Sequence, residues 1–180
     1  MDAVKGQRSR WVIGYAVLGL LALPMTVLAA PATHGVLAVY LGGQRIDSRE
    51  AANFYCHDRD YPVIRCFRTP ADRAADETGL AGAPEAAPFG SVGPASLLSP
   101  YVRWYRDANF SGPSFEAYVY EPDLAAIGWD NLISSFTPLN GGHPLWWTGP
   151  NRSGTKWDWG TASVATLGAA NDQFSSTDRG

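Results

Sequence analysis

From residue 101 onward, short aromatic and β-branched runs alternate with Gly, Pro, Asn and Asp, and no helical period persists for three turns. That alternation predicts an all-β domain of short strands. Upstream the pattern differs. Residues 36–41 are a strand-like run and Gly42-Gly43 supplies a two-residue turn, so a hairpin is expected over 35–47. Asp47 followed by Glu50 has the spacing of a helix N-cap with a capping box, which predicts a short helix over 48–54. Residues 62–67 read as a second strand, and the polar, Ala-rich stretch 71–78 as a second helix. Residues 30–78 are therefore expected to form a small α+β module, too short for a large core and in need of a staple or a packing partner. Residues 79–100 are rich in Gly, Ala, Pro and Ser, with Glu85 as their one charge. That is linker composition, and a domain boundary is expected there.

Compared with itself, the region 101–180 repeats. Tyr105, four residues, Phe110, one residue and Gly112 form one layout. Trp147, Arg152 and Gly154 reproduce it 42 positions later, with Arg in place of Phe. The ends match as well. Asp130-Asn131-Leu132-Ile133-Ser134-Ser135 recurs as Asn171-Asp172-Gln173-Phe174-Ser175-Ser176 after 41 positions, with one extra residue following Gly168. The domain thus consists of two units of about forty residues, each the size of one Greek key.

An aromatic-x4-Phe-x-Gly hairpin followed by (Asn/Asp)-(Asn/Asp)-x-x-(Ser/Thr)-Ser resembles the βγ-crystallin motif in its calcium-binding, microbial form. The resemblance covers about 101–180 and not the 34–70 module. It implies an all-β, two-Greek-key sandwich holding two calcium ions, preceded here by the α+β module. Calcium takes six to eight hard oxygen ligands. Each hexad offers such groups compactly: Asp130, Asn131, the Leu132 carbonyl and the Ser134 hydroxyl in the first, and Asn171, Asp172, Gln173 and Ser175 in the second. Ile133 and Phe174 are expected to anchor the loops in the core. In the family a carbonyl from the hairpin of the other motif completes each clamp; the matching positions are Ala108 and Pro150. The second Ser of each hexad, Ser135 and Ser176, is structural in the family. Each hexad carries one carboxylate, so the expected affinity is modest, on the order of 10⁻⁴–10⁻³ M. An empty turn is the alternative, because Asn, Asp and Ser are generic turn formers. Two departures are expected to weaken the second site. Arg152 replaces the hairpin Phe, and the chain stops four residues after Ser176, which predicts a final strand that is short or lost.

The remaining features set the context. Lys5, Arg8 and Arg10 precede the apolar run 11–30, with Val27 and Ala29 before the expected cut, so 1–29 has the layout of a secretory signal peptide. A retained N-terminal membrane anchor is the alternative, since twenty apolar residues just span a bilayer. Export favours pairing Cys56 with Cys66, the two cysteines of the chain. The rival is a metal or nucleophile site of Cys56, His57 and Cys66, which no second CxxC or HxxxH accompanies. Apolar content of 46% and charged content of 17% fit a globular protein. A net charge of −3 gives no basic patch for nucleic acid. His34, His57 and His143 are scattered without triad or metal-ligand spacing, so no enzyme is expected. Six of the seven Trp lie at or after Trp104. Trp157 and Trp159, with Trp146 or Trp147, make a sugar-stacking platform the second reading, a carbohydrate-binding module. A βγ-crystallin-like protease inhibitor is the third. The expectation is a secreted monomer that binds calcium, with an extracellular polysaccharide or protein as the possible further partner.

Overall fold

The computed structural model describes residues 37–78 and 99–180. The expected signal 1–29 and linker residues 79–98 lie outside the described residues. No helix among the described residues is long and apolar enough to cross a membrane.

Strands β1 (Ala38–Leu41) and β2 (Gln44–Ile46) form the predicted hairpin. Gly42 and Gly43 turn it at φ of +56° and +86°, the left-handed pair that a tight two-residue hairpin needs and that side chains resist. The following helix is a 3₁₀ turn over Ser48–Asn53, not an α-helix. The Asp47 carboxylate accepts the backbone N–H of Arg49 at 3.0 Å, one residue short of the capping-box partner, and buried Ala51 and Ala52 hold the tighter turn against the core. Strands β3 (Tyr55–Asp60) and β4 (Val63–Phe67) come next, then helix α1 (Pro70–Glu77), capped by the Thr69 hydroxyl. The repeats contribute β5 (Val102–Asp107), β6 (Ser111–Ala117) and β7 (Ser135–Pro138), then β8 (Pro144–Gly149), β9 (Ser153–Asp158) and β10 (Ser176–Arg179).

These strands make two sheets, β2-β1-β4-β3-β6-β5-β7 and β10-β8-β9. The third segment of each repeat crosses to the sheet of the other. Glu121, from the first repeat, bridges Thr177 in β10; Val164, from the second, bridges Phe136 in β7. Exchanged third segments tie the two keys into one sandwich. The last strand is present and four residues long, the same length as β7.

The boundary expected at 79–100 does not separate two folding units. β3 pairs in parallel with β6, setting Tyr55 opposite Ser114, Cys56 opposite Phe115 and His57 opposite Glu116. The small module meets its need for a partner by extending the sheet of the first key. Pleat alternation then sorts the side chains. One cross-strand row, Cys66, Cys56, Phe115, Trp104 and Phe136, faces the other sheet. The adjacent row, Arg65, His57, Glu116 and Arg103, faces away and is covered by α1. There Arg73 reaches Ser114 at 3.0 Å and Glu116 at 3.2 Å, while Asp76 takes His57 at 2.9 Å and Arg65 at 2.7 Å. Burial disfavours the Asp76 carboxylate, but its hydrogen bond with His57 and the Arg65 charge outweigh it and hold its pKa below the ordinary value. Ion pairing is what lets the polar strand Tyr55–Asp60 sit mid-sheet, and it is why hydropathy alone does not predict β3.

Cys56 and Cys66 lie directly opposite each other in β3 and β4 and are bonded, both fully buried. Their separation of 10 residues corresponds to about 2.5–3 kcal/mol in the chain-entropy view. The pair Cys56→Ala with Cys66→Ala is expected to lower the urea-unfolding free energy by that amount. A midpoint unchanged from wild type contradicts the staple.

Candidate metal centre

Each repeat builds its loop the same way. In the first, hairpin residues Asn109 and Phe110 lie at φ of +59° and +58°; in the second, Asn151 and Arg152 lie at +54° and +61°. Ser135 donates to the Asp107 carbonyl at 2.6 Å and accepts the Phe110 N–H at 3.0 Å. Ser176 does the same with Gly149 and Arg152, at 2.7 and 3.1 Å. Both serines are fully buried, so the second Ser of each hexad clips the hairpin to the end of its own repeat. The hairpin tips also reach the exchanged segments: the Asn109 N–H bonds the Ala165 carbonyl at 2.7 Å, and the Asn151 N–H bonds the Pro122 carbonyl at 2.6 Å.

Arg152 does not loosen its repeat. Its guanidinium lies 4.4 Å over the Tyr120 ring and pairs with Asp178. Phe110 instead packs edge-on against Tyr105 at 5.9 Å. The second hairpin thus exchanges an apolar contact for a cation–π and ionic one.

The two hexads bond each other across a pseudo-twofold relation. The Asn131 N–H donates to the Phe174 carbonyl at 3.0 Å, and the Asp172 N–H donates to the Ile133 carbonyl at 3.1 Å. Ile133 and Phe174 are fully buried beneath, as anchors. Asn131 and Asp172 take the same left-handed φ of +55°. Ser134 of one hexad approaches Asp172 of the other, hydroxyl to Oδ1, at 3.4 Å. This contact and the two backbone hydrogen bonds join the hexads side by side.

In each Asn/Asp pair the amide binds one carboxylate oxygen and leaves the other. Asn131 donates to Asp130 Oδ2 at 2.9 Å, and Asn171 donates to Asp172 Oδ2 at 2.6 Å. Asp130 Oδ1 is buried without a hydrogen-bond partner among the described residues. The Leu132 and Gln173 carbonyls accept no backbone hydrogen bond among those residues, whereas the intervening Ile133 and Phe174 carbonyls do. The Gln173 side-chain amide N–H donates to the Ala169 carbonyl at 2.6 Å, turning the side chain back toward the preceding 3₁₀ turn. Ser175 sits against the Thr148 carbonyl at 3.3 Å. The Ala108 carbonyl accepts the Ser111 hydroxyl at 2.7 Å, and the Pro150 carbonyl accepts both the Ser153 hydroxyl at 2.7 Å and the Ser153 N–H at 3.1 Å.

The four tryptophans of the sugar-platform reading do not share one open face. Trp146 is fully buried and Trp147 is 8% exposed. Trp157 and Trp159 stack on each other at 5.4 Å, and Trp159 closes the core edge-on to Phe136 and Phe174.

No family model and no curated protein matches the chain. Among solved structures, similarity is found to a βγ-crystallin from an archaeon, with 26% identity over 45% of this chain and 98% of that one at a TM-score of 0.40. A βγ-crystallin domain from Clostridium beijerinckii is similar at 24% identity, over 44% of this chain and 95% of that one, with a TM-score of 0.40. A βγ-crystallin from Ciona intestinalis follows at 20% identity, over 44% and 98% respectively, with a TM-score of 0.41. The duplicated hairpins, clipped serines and exchanged segments define a sandwich of two repeated keys.

Proposed function

We propose that the protein is a non-catalytic, exported βγ-crystallin-type calcium binder in which two ions tie the paired hexads together. One observation carries the reading: Asp130 Oδ1 is buried without a partner beside a loop bonded to its twin. A carboxylate oxygen in that state is costly unless something positive or donating meets it. The neighbouring donors are hard oxygens: Asp130 and Asp172 carboxylates, the Asn131 and Asn171 amide oxygens, the Leu132 and Gln173 carbonyls, and the Ser134 and Ser175 hydroxyls. That set suits calcium and not a thiophilic metal. The Ala108 carbonyl keeps a second lone pair for an ion, whereas the Pro150 carbonyl, with two hydrogen bonds from Ser153, would have to share one. One carboxylate per hexad keeps the affinity in the range of extracellular modules, about 10⁻⁴–10⁻³ M. Export through the 1–29 signal would put the sites where calcium at that level is available.

Calcium titration of the purified full chain, followed by Trp fluorescence and melting temperature, is expected to saturate in that range and reverse with chelator. At ten times Kd, each site adds about 1.4 kcal/mol to stability. Ser134→Ala with Ser175→Ala is expected to abolish the shift while leaving the fold intact. No calcium-dependent change up to about 10 mM, an order above the weak end for extracellular sites, refutes the metal reading.

A further inference from the structure

Away from the hexads, two carboxyl groups meet where the upstream strands join the first key. Asp58, in β3, is fully buried, and Glu121, in the exchanged segment, is 2% exposed. Asp58 Oδ1 accepts the Tyr118 N–H at 2.6 Å and Oδ2 accepts the Val119 N–H at 3.3 Å. Glu121 exchanges backbone hydrogen bonds with Thr177 in β10, both at 3.1 Å. The pair thus links β3, the segment leaving β6, and the second sheet.

Nothing cationic bonds either group. Among the described residues no ion pair includes Asp58 or Glu121, although Asp76 and Glu116 nearby each have arginine partners. The titratable and charged groups facing the pair are His57 from β3, Tyr61 from the turn after it, Tyr101 ahead of β5 and Tyr118 after β6, with Asp178 from β10 beyond Tyr101. Arg59, Arg73 and Glu77 stand beyond, around Tyr118. Two carboxyl groups can hydrogen-bond each other only when one carries a proton; without it, Glu121 Oε1 is buried with no partner. The two N–H donors favour charge on Asp58, so the proton belongs on Glu121.

We propose that Asp58 and Glu121 form a proton-dependent latch on this seam, closed while the pair holds at least one proton and loosened when both ionise. Burial, then the Asp58 charge, holds the Glu121 carboxyl well above its ordinary range. Burial likewise pushes Asp58 up to about 6, against its N–H donors. A folded pKa above the open-state value means that opening releases a proton. The latch is therefore strongest below the ordinary carboxylate pKa of about 4 and weakens as pH rises toward the folded value. For one proton the opening constant grows up to tenfold per pH unit in that window.

Amide exchange of the full chain by NMR from pH 5 to 8, expressed as protection factors, tests this at the Tyr118 and Val119 amides. Wild type is expected to lose up to about tenfold protection per pH unit. Glu121→Gln keeps a donor for Asp58, removes the second titrating group and should make the profile flat above about pH 6, below which Asp58 itself titrates. An equal slope in both proteins overturns the latch. Should Glu121→Gln fail to fold, ¹³C-carboxyl titration of glutamate-labelled wild type decides. One resonance titrating far above the others supports the latch; all of them titrating near about 4.3 refute it.

Discussion

Replacing Trp104 with alanine is expected to remove about 3–5 kcal/mol of stability, the largest single loss in the core. The ring is fully buried at the centre of the sandwich. It stacks parallel on Phe115 at 4.7 Å and meets Trp129 and Trp146 edge-on at 6.1 and 5.8 Å. Trp146 belongs to the second sheet, so Trp104 joins both layers. Truncation removes the transfer energy of the ring and leaves a cavity among rigid aromatics that cannot collapse into it. The indole Nε1 has no hydrogen-bond partner among the described residues, so the loss is one of packing. Trp104→Phe, which keeps the stack on Phe115, is accordingly expected to cost clearly less than Trp104→Ala. Urea unfolding followed by far-UV circular dichroism measures both without relying on the Trp signal. A loss below about 1.5 kcal/mol for alanine would show that the layers are held elsewhere.

Glu116→Ala is expected to cost a comparable amount, about 3–5 kcal/mol, for an electrostatic reason. Glu116 and Arg73 are 2% and 4% exposed, 3.2 Å apart, and Arg103 binds the same carboxylate oxygen. Burial, then the Arg103 charge, already pulls the Arg73 guanidinium below its ordinary pKa. Removing the carboxylate leaves two guanidinium groups facing each other, the buried Arg73 keeping only Glu77 at 3.3 Å as a counter-charge. The damage comes from the stranded charge more than from the lost pair. Glu116→Leu combined with Arg73→Met removes both buried partners and is expected to recover most of the loss. If the single and double variants unfold at the same urea concentration, the ion pair does not secure α1 to the sheet.

Several elements were legible from sequence because their causes are local. Gly42-Gly43 specifies its hairpin through positive φ, and the polar, Ala-rich stretch 71–78 favours the helix found over Pro70–Glu77. The repeated hairpins are readable because Gly112 and Gly154 sit at φ of +75° and +77°, where a Cβ would collide with Asp107 and Thr148. The hexads are readable because both copies require the same left-handed second residue and the same clip serine. Other elements had no local cause to betray them. Strand β3 has no apolar alternation to mark it, and only Arg65, Glu116 and the helix around it make it a central strand. The capping-box spacing at Asp47 predicts an α-helix, but core packing of Ala51 and Ala52 selects the 3₁₀ turn. Arg152 reads as a defect in the repeat, and only the position of Tyr120 turns it into a contact.

By itself, then, the sequence determined two Greek-key units, their turn chemistry, the paired cysteines and the oxygen-rich hexads. The turns and hexads depend on backbone preferences within a few residues, the units on a repeat that self-comparison displays, and the cysteine pairing on there being two in a chain expected to be exported. The tertiary structure alone decided that Glu121 and Val164 exchange sheets, that Ser134 meets Asp172, that β3 extends the first key and that Asp58 meets Glu121. Those pairs are separated by tens of residues in the chain. Which of them form is set by burial, sheet register and charge compensation across the whole sandwich, quantities with no counterpart in a local pattern.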